Sequence, residues 1–342
     1  MSDGLRFADV FAELSAPEGI APASVRRVFD SILAGQWTPV QVAGFVVALR
    51  LQGEPPAVIA AAAEAMRSAM VGVDHGLETV LDTCGTGGDG QGTLNLSTGA
   101  AIIAAAAGAP VAKHGNRAVS SQAGSADVLE ALDIPLNVPP NRAATVLREA
   151  NITFLMAPVH HPAMRHAVVA RKELGIRTIF NCLGPLASPA RATHQLLGAY
   201  DDSLRETFAQ TLRELGTQRA WVVRGADGID EVSPFGPTRV TELEGGEIRE
   251  LTVTPETFGL TPSPAGAITG GNAAANAEVL EQVLSGQPHP SADAFLLNAA
   301  AALVVAEGLE PRAALERARE TVTSGAAQRT LQRWREVAQQ NK

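Results

Sequence analysis

The segment Leu81-Asp82-Thr83-Cys84-Gly85-Thr86-Gly87-Gly88-Asp89-Gly90 follows a run that reads as a strand, and a helix is expected to open soon after it, near Ser97. Glycines let backbone amides approach an anion closely, and a helix N-terminus adds partial positive charge. The loop is a candidate phosphate cradle. Gly85, Gly87 and Gly90 also satisfy the G-x-G-x-x-G spacing of dinucleotide folds. Two features oppose that use. Gln91–Leu96 separates the third glycine from the helix, and the residues about 20 further on, Lys113-His114-Gly115-Asn116, include no acid to hold a ribose. No G-K-[ST] occurs, which excludes a Walker-type loop. A tight turn without ligand is the plain alternative for any glycine loop. Asp89 argues beyond it: a carboxylate among phosphate donors repels the ligand unless a cation or sugar hydroxyls intervene. A metal-chelated pyrophosphate fits better than a bare one.

Asn95-Leu96-Ser97-Thr98 offers hydroxyl and amide groups that can cap the coming helix or bond phosphate oxygens. Further on, Lys113-His114-Gly115-Asn116-Arg117-Ala118-Val119-Ser120-Ser121 follows the next expected strand, with Ser125 at the start of another helix. The chain has 27 basic residues, of which only Lys113, Lys172 and Lys342 are lysines. A compact ammonium at Lys113 suits a phosphate or a leaving pyrophosphate. Two donor-rich loops after successive strands converge at one end of a parallel sheet. Asp230-Glu231 lies in Val222–Glu231. Adjacent carboxylates are unfavourable unless they share a cation, and hard oxygens plus substrate phosphates are how Mg²⁺ is held. Alone, the pair reads as a solvated acidic loop; the phosphate loops supply the reason for a metal. His160, His161 and His166 form no transition-metal set, because no carboxylate or cysteine completes one. Arg165, Arg171 and Arg177 read mostly as surface charges, one of them suited to a substrate carboxylate. Cys84 and Cys182 read as small, buried and inert.

The elements that must position these residues change character along the chain. Up to about residue 70, helical spacing recurs in Val25–Leu33, Val40–Leu51 and Val58–Met70, a reading with boundary errors of about 2–4 residues. Thr38-Pro39 suits an N-cap followed by proline, and Glu54-Pro55-Pro56 breaks the chain before the next helix. After Gly76, β-type runs (Thr79–Thr83, Pro110–Lys113, Ile152–Met156, Ala220–Val223) alternate with helical ones (Thr98–Ala107, Ala126–Leu132), as in βαβ units with a largely parallel sheet. Pro158–Gly175 is expected as one long helix, and Asn272–Leu284 and Ala292–Arg335 return to helix. Net charge is −9 at a sequence pI of about 5.3, so no basic field gathers nucleic acid. Two cysteines make no disulfide framework, and a reducing cytoplasm is the expected compartment. Asp3 and Asp9 with no apolar run speak against a signal peptide. The apolar runs Ala100–Ala107 and Ala299–Ala306 fall short of the roughly 20 residues that span a bilayer.

Taken together, Cys84–Asp89, Lys113–Leu132, Phe154–Leu186, Val222–Glu231 with Gly236-Pro237-Thr238, and Leu296–Ala306 resemble the anthranilate phosphoribosyltransferases over nearly the whole chain. That resemblance implies an α/β fold of the nucleoside phosphorylase and phosphoribosyltransferase type. A small helical domain over residues 1–74, with the inserted segment of about 160–186 packing on it, would join a large α/β domain over 75–342. It implies a homodimer through the helical part and a site in the cleft. Phosphoribosyl pyrophosphate (PRPP) would be held by Gly85, Gly88, Asp89, Thr93, Asn95, Ser97, Thr98, Lys113, Ser121 and Ser125. Mg²⁺ would be bound by Ser97, Asp230 and Glu231, and anthranilate would meet Gly85, Asn116 and Arg171. The aromatic amine is neutral at pH 7 and needs no activating base; Lys113 would act on the leaving group, and His114 is the candidate proton acceptor. Gln122-Ala123, Ala170, Ser188 and Arg224 depart from the usual family residues. A pyrimidine-nucleoside phosphorylase, whose Lys-His-Ser lead is here Asp82-Thr83-Cys84, a nucleic-acid-binding relative and an NAD-dependent oxidoreductase are the competing readings.

Overall fold

The computed structural model describes residues 5–118 and 122–340. Four helices come first: α1 (Phe7–Ser15), α2 (Pro22–Leu33), α3 (Pro39–Gln52) and α4 (Pro56–Ala69). α3 starts as its sequence dictates. Thr38 accepts the Gln41 N–H while the Gln41 side chain reaches back to the Thr38 N–H, with Pro39 in the first turn. The helices bury a core around Phe29, Phe45, Val25 and Leu49.

Beyond residue 80 the chain alternates. β1 (Leu81–Asp82), α5 (Leu96–Ala106), β2 (Val111–Gly115), α6 (Ser125–Ala131), α7 (Pro140–Ala150) and β3 (Ile152–Met156) form the first half. Next come α8 (Ala157–His160), α9 (Arg165–Leu174) and α10 (Phe180–Leu186), then β4 (His194–Gly198), α11 (Leu204–Glu214) and β5 (Arg219–Gly225). A hairpin of β6 (Thr238–Glu244) and β7 (Glu247–Val253) precedes α12 (Pro255–Phe258), α13 (Ala273–Leu284), α14 (Ala292–Glu307), α15 (Pro311–Thr323) and α16 (Ala326–Gln339).

Seven strands make one sheet in the order β3-β2-β1-β4-β5-β6-β7, parallel through β5 and antiparallel across the hairpin. The fold is thus a helical N-terminal part joined to a large α/β domain with a mostly parallel sheet. Strand order runs outward from β1 to β3, then restarts on the other side at β4. That reversal opens a crevice at the carboxyl ends of β1 and β4, where open α/β sheets bind ligands. Both faces of the sheet are covered. Along β5, Ala220 and Val222 join the helical core, whereas Trp221 and Val223 join the core beneath α5 and α14.

Two expectations need correction. The run Pro158–Gly175 is not one helix: it breaks at His161 (φ −120°, ψ 57°) into α8, a single 3₁₀ turn over Pro162–Met164, and α9. Pro162 has no N–H to continue α8, and its ring disfavours helical geometry at the residue before it. Similarly, Ala292–Arg335 is three helices, with Gly308 and Gly325 in left-handed conformations at the two breaks. α9 and α10 pack with the N-terminal helices: Phe180 meets Phe29 edge-on, with ring centroids 5.5 Å apart.

Candidate functional site

The loops after β1, β2, β4 and β5 meet above the strand reversal. The glycine loop leaves β1 and is pinned at once to the end of β4: Thr86 donates its N–H (2.9 Å) and its hydroxyl (3.1 Å) to the Gly198 carbonyl. Gly87, Gly88 and Gly90 all have positive φ, so this path is open to glycine and strained for other residues. Asp89 turns back on its own loop, where its Oδ1 accepts the Gln91 N–H at 3.1 Å; its Oδ2 is buried with no partner among the described residues.

The acidic turn after β5 closes onto this loop. Asp230 Oδ2 accepts the Gly87 N–H (3.0 Å), and Glu231 Oε1 accepts the Ser97 N–H at the start of α5 (3.2 Å). Burial raises both carboxyls above their ordinary range. Repulsion from Asp89 adds to the rise at Asp230, and repulsion from Asp230 adds to it at Glu231. Three half-buried carboxylates crowded together want a cation. Asp230, Glu231 and the Ser97 hydroxyl are hard oxygen donors suited to Mg²⁺, and the unpartnered Asp89 oxygen faces the same need.

Lys113 lies on β2, buried. Its ammonium donates to the Thr83 carbonyl (2.8 Å), the Thr83 hydroxyl (3.3 Å) and the Ser97 hydroxyl (3.2 Å). All three partners are neutral, and a buried ammonium so placed favours any anion brought beside it. The glycine loop, Lys113 and the acidic pair are therefore one assembly: Gly87 ties the loop to Asp230, and Ser97 ties Lys113 to Glu231.

His114 stands differently. Its N–H donates to Asp82 Oδ1 (3.1 Å), and its ring Nδ1 lies 3.0 Å from the Gly184 carbonyl, which fixes the proton on Nδ1. Burial first, then His161, pushes its pKa down to about 3. Nε2 keeps a free lone pair, but a base this reluctant is a poor proton acceptor at neutral pH. Asp82, Cys84 and His114 bring ligand atoms within 4.8 Å of one another, all buried. Burial drives each towards its neutral form, Asp82 up to about 7 and the Cys84 thiol upward, so the trio makes a poorly charged floor under the glycine loop. His160 bonds the Val71 carbonyl through Nδ1 (2.7 Å), and His166 packs against Gly35; no metal set joins them among the described residues.

The remaining residues named from the sequence fall around this centre. Asn95 does not cap α5: its amide donates to the Ala123 carbonyl (3.2 Å), and its oxygen accepts from Asn276 (3.0 Å). Thr93 pairs with Thr269 in an isolated bridge, and the Thr98 hydroxyl is buried without a partner among the described residues. Ser125 lies 3.4 Å from the Asn116 carbonyl, and Asn116 itself accepts the Arg117 N–H at 2.8 Å. Ser121 lies outside the described residues. Arg171, in the last turn of α9, sits 5.5 Å from the Phe180 ring centroid, and its guanidinium has no ion pair among the described residues.

Three contributors escaped the sequence reading. Gly198 is one: a Cβ there would fall 1.6 Å from the Asp230 carbonyl oxygen, so only glycine lets β4 and the acidic turn approach. Asp127 is another; its Oδ2 accepts the N–H groups of Ala118 and Gly124, both at 2.9 Å, and so gathers the loop after β2. Arg177, grouped above with surface charges, stacks 3.7 Å from the Tyr200 ring centroid and donates to the Gly88 carbonyl. Nothing in spacing marks Gly198 or Arg177. Asp127 had a local signal, an acid three residues beyond a glycine at a helix start.

Comparison with known proteins places this assembly in context. Residues 77–328 match the model of the glycosyl transferase family α/β domain, and residues 11–70 match that family's helical bundle domain. The anthranilate phosphoribosyltransferase of Symbiobacterium thermophilum is 45% identical over 95% of either chain, and that of Moorella thermoacetica is 46% identical over 94% of this chain and 95% of its own. Among solved structures, anthranilate phosphoribosyltransferase from Thermus thermophilus superposes with a TM-score of 0.88 at 42% identity, covering 93% of this chain and 96% of that one. The Saccharomyces cerevisiae enzyme, solved in complex with PRPP and Mg, gives 0.89 at 30% identity over 97% of each chain.

Proposed function

The chain belongs to the anthranilate phosphoribosyltransferase family of glycosyl transferases, and from that premise we propose that it transfers the phosphoribosyl group of PRPP to the amine of anthranilate, releasing pyrophosphate, in tryptophan biosynthesis. The observation that carries this reading is the joining of the glycine loop to Asp230 through Gly87 and of Glu231 to Lys113 through Ser97. An anion-binding loop that also gathers three carboxylates makes sense for a substrate arriving as a metal diphosphate.

The diphosphate takes the loop Gly85–Asp89, with Thr93, Asn95, Ser97, Thr98, Lys113, Ser121 and Ser125 around it. Asp230, Glu231 and Ser97 hold Mg²⁺, which when bound neutralises charge building on the departing pyrophosphate. Lys113 is held by three hydrogen bonds before the reaction, so its charge stabilises the departing group without reorganising. Arg171 pairs with the anthranilate carboxylate, and Asn116 and Gly85 border the ring. The attacking amine needs no base, and burial pushes the His114 pKa down, which makes its ring a weak acceptor for the proton released after attack.

The chain divides into a helical part over 1–74, carrying the inserted segment near 160–186, and an α/β part over 75–342. Two copies pair through the helical part. Exposed Val40, Val168, Val169 and Ile176 lie on helices of that part or the turn after them and supply apolar surface for such pairing. Among the described residues no single helix is long and apolar enough to cross a membrane, and we place the protein in the cytoplasm.

Anthranilate fluorescence provides the test. It should fall on adding PRPP with Mg²⁺ and hold steady when the metal is chelated. An Asp230→Asn/Glu231→Gln protein should lose about 10³-fold in kcat/KM. Full activity in that variant would remove the metal assignment, and no fluorescence change in the wild type would remove the reaction.

A further inference from the structure

We propose that Asn298, in the middle of α14, is a positioning residue that locks the Asp230-Glu231 turn into its metal-binding shape. The inference rests on the assignment of that pair as metal ligands. Asn298 is fully buried in a helix whose neighbouring residues, Phe295 to Ala306, are otherwise apolar. An amide in such surroundings is costly unless its hydrogen bonds are made. Here they are made to one residue and one turn of helix. Oδ1 accepts the Val232 N–H (3.0 Å), while Nδ2 donates to the Val232 carbonyl (3.0 Å) and to the Ala294 carbonyl of its own helix (3.0 Å). Two carbonyl acceptors and one N–H donor admit a single orientation of the amide.

Val232 directly follows Glu231, so the side chain grips both polar groups of the residue next to the acidic pair, much as a neighbouring strand would. From the other side the same turn is pressed against Gly198, where a Cβ would overlap the Asp230 carbonyl. The turn is clamped between β4 and α14. Without the clamp, two adjacent half-buried carboxylates would relieve their repulsion by swinging apart, and the bonds to Gly87 and Ser97 would be lost with them. Residues that orient metal ligands in this way affect metal affinity nearly as much as the ligands themselves.

The test compares Asn298→Asp and Asn298→Ala with the wild type. Asn298→Asp keeps the acceptor for the Val232 N–H but sets a carboxylate against two carbonyl oxygens. Mn²⁺ binding in the presence of PRPP and without anthranilate, followed by electron paramagnetic resonance, reads the site without turnover. The Mn²⁺ dissociation constant and the Mg²⁺ concentration for half-activation should both rise roughly tenfold or more, with KM for anthranilate held within about twofold. A folded variant with wild-type Mn²⁺ affinity overturns the proposal. So does one whose anthranilate and metal affinities fall together in step with a lowered Tm, since that is general destabilisation. Should neither variant fold, hydrogen exchange of the wild type decides: a Val232 amide protected like those of α14 supports the clamp, and one exchanging like an exposed loop amide overturns it. Asp230→Asn/Glu231→Gln is measured in parallel. If it too binds Mn²⁺ normally, the metal assignment fails; if it loses Mn²⁺ while the Asn298 variants keep it, only the role of Asn298 fails.

Discussion

At the glycine-loop end of the site, Lys113 and the acidic pair are held by hydrogen bonds from and to the surrounding backbone and hydroxyls, whereas at the Arg171 end the candidate groups are nearly free. Lys113 makes three hydrogen bonds, Asp230 and Glu231 each take a backbone N–H, and the Gly198 carbonyl receives two donors from Thr86. Arg171 has one aromatic neighbour, and Asn116 spends its oxygen on the next residue's own N–H. The difference follows the chemistry. Charge that appears during the reaction is stabilised best by groups that cannot relax, while a flat aromatic acid that changes little needs only to be held. The rigid end should set turnover and the loose end should set affinity.

The sharpest way to break this contrast is Gly198→Ala. The added methyl must displace the Asp230 backbone, and misplacement of a catalytic group by about 1 Å costs roughly 10²-fold. Gly198→Ala should therefore lose at least that factor in kcat/KM at an anthranilate KM near wild type; steady-state kinetics at varied anthranilate would expose a purely affinity-based loss instead. Next in size is Lys113→Met, which keeps the stem and removes the charge. Its kcat should drop about 10²-fold, as followed in a pre-steady-state burst measurement, and an unchanged kcat would place the ammonium outside the reaction. Arg171→Ala should raise the KM for anthranilate about 10- to 100-fold, the worth of a charge-assisted pair, and leave kcat within a few-fold. A collapse of kcat instead would make the two ends alike. The smallest effect is expected at the link between the two halves. Arg177→Ala releases the Gly88 carbonyl and should raise the KM for PRPP about fivefold without touching that for anthranilate, as product assays over a PRPP series would reveal.

The convergence of the glycine loop, Lys113 and the acidic pair was legible in the sequence because its signals are local. Glycines, an isolated lysine and adjacent acids each announce a function within a few residues, and the strands before them follow from short apolar runs. The helix beginning near Ser97 and the N-cap at Thr38 were legible for the same reason. What stayed hidden depends on contacts distant in the chain. β4, which lies centrally in the sheet, gives no strong alternating pattern because both its faces are covered. Gly198 and Asn298 matter through what approaches them, not through their neighbours in sequence. Asn95 looked like a cap and instead bridges Ala123 and Asn276, a choice made by two remote segments. The adjacent acids themselves suggested a shared cation, whereas Ser97 as a metal ligand and the anthranilate residues came from family resemblance alone.

The chain passes between its helical and α/β parts three times, and the three passages are laced together. The Val71 N–H donates to the His160 carbonyl (2.8 Å), the Val73 N–H donates to the Pro189 carbonyl (2.9 Å), and the His75 ring meets the Ala190 carbonyl (2.9 Å). A bundle of three cords bound side by side bends about one line and resists twisting. A protease that severed one cord would leave both parts still fastened by the other two.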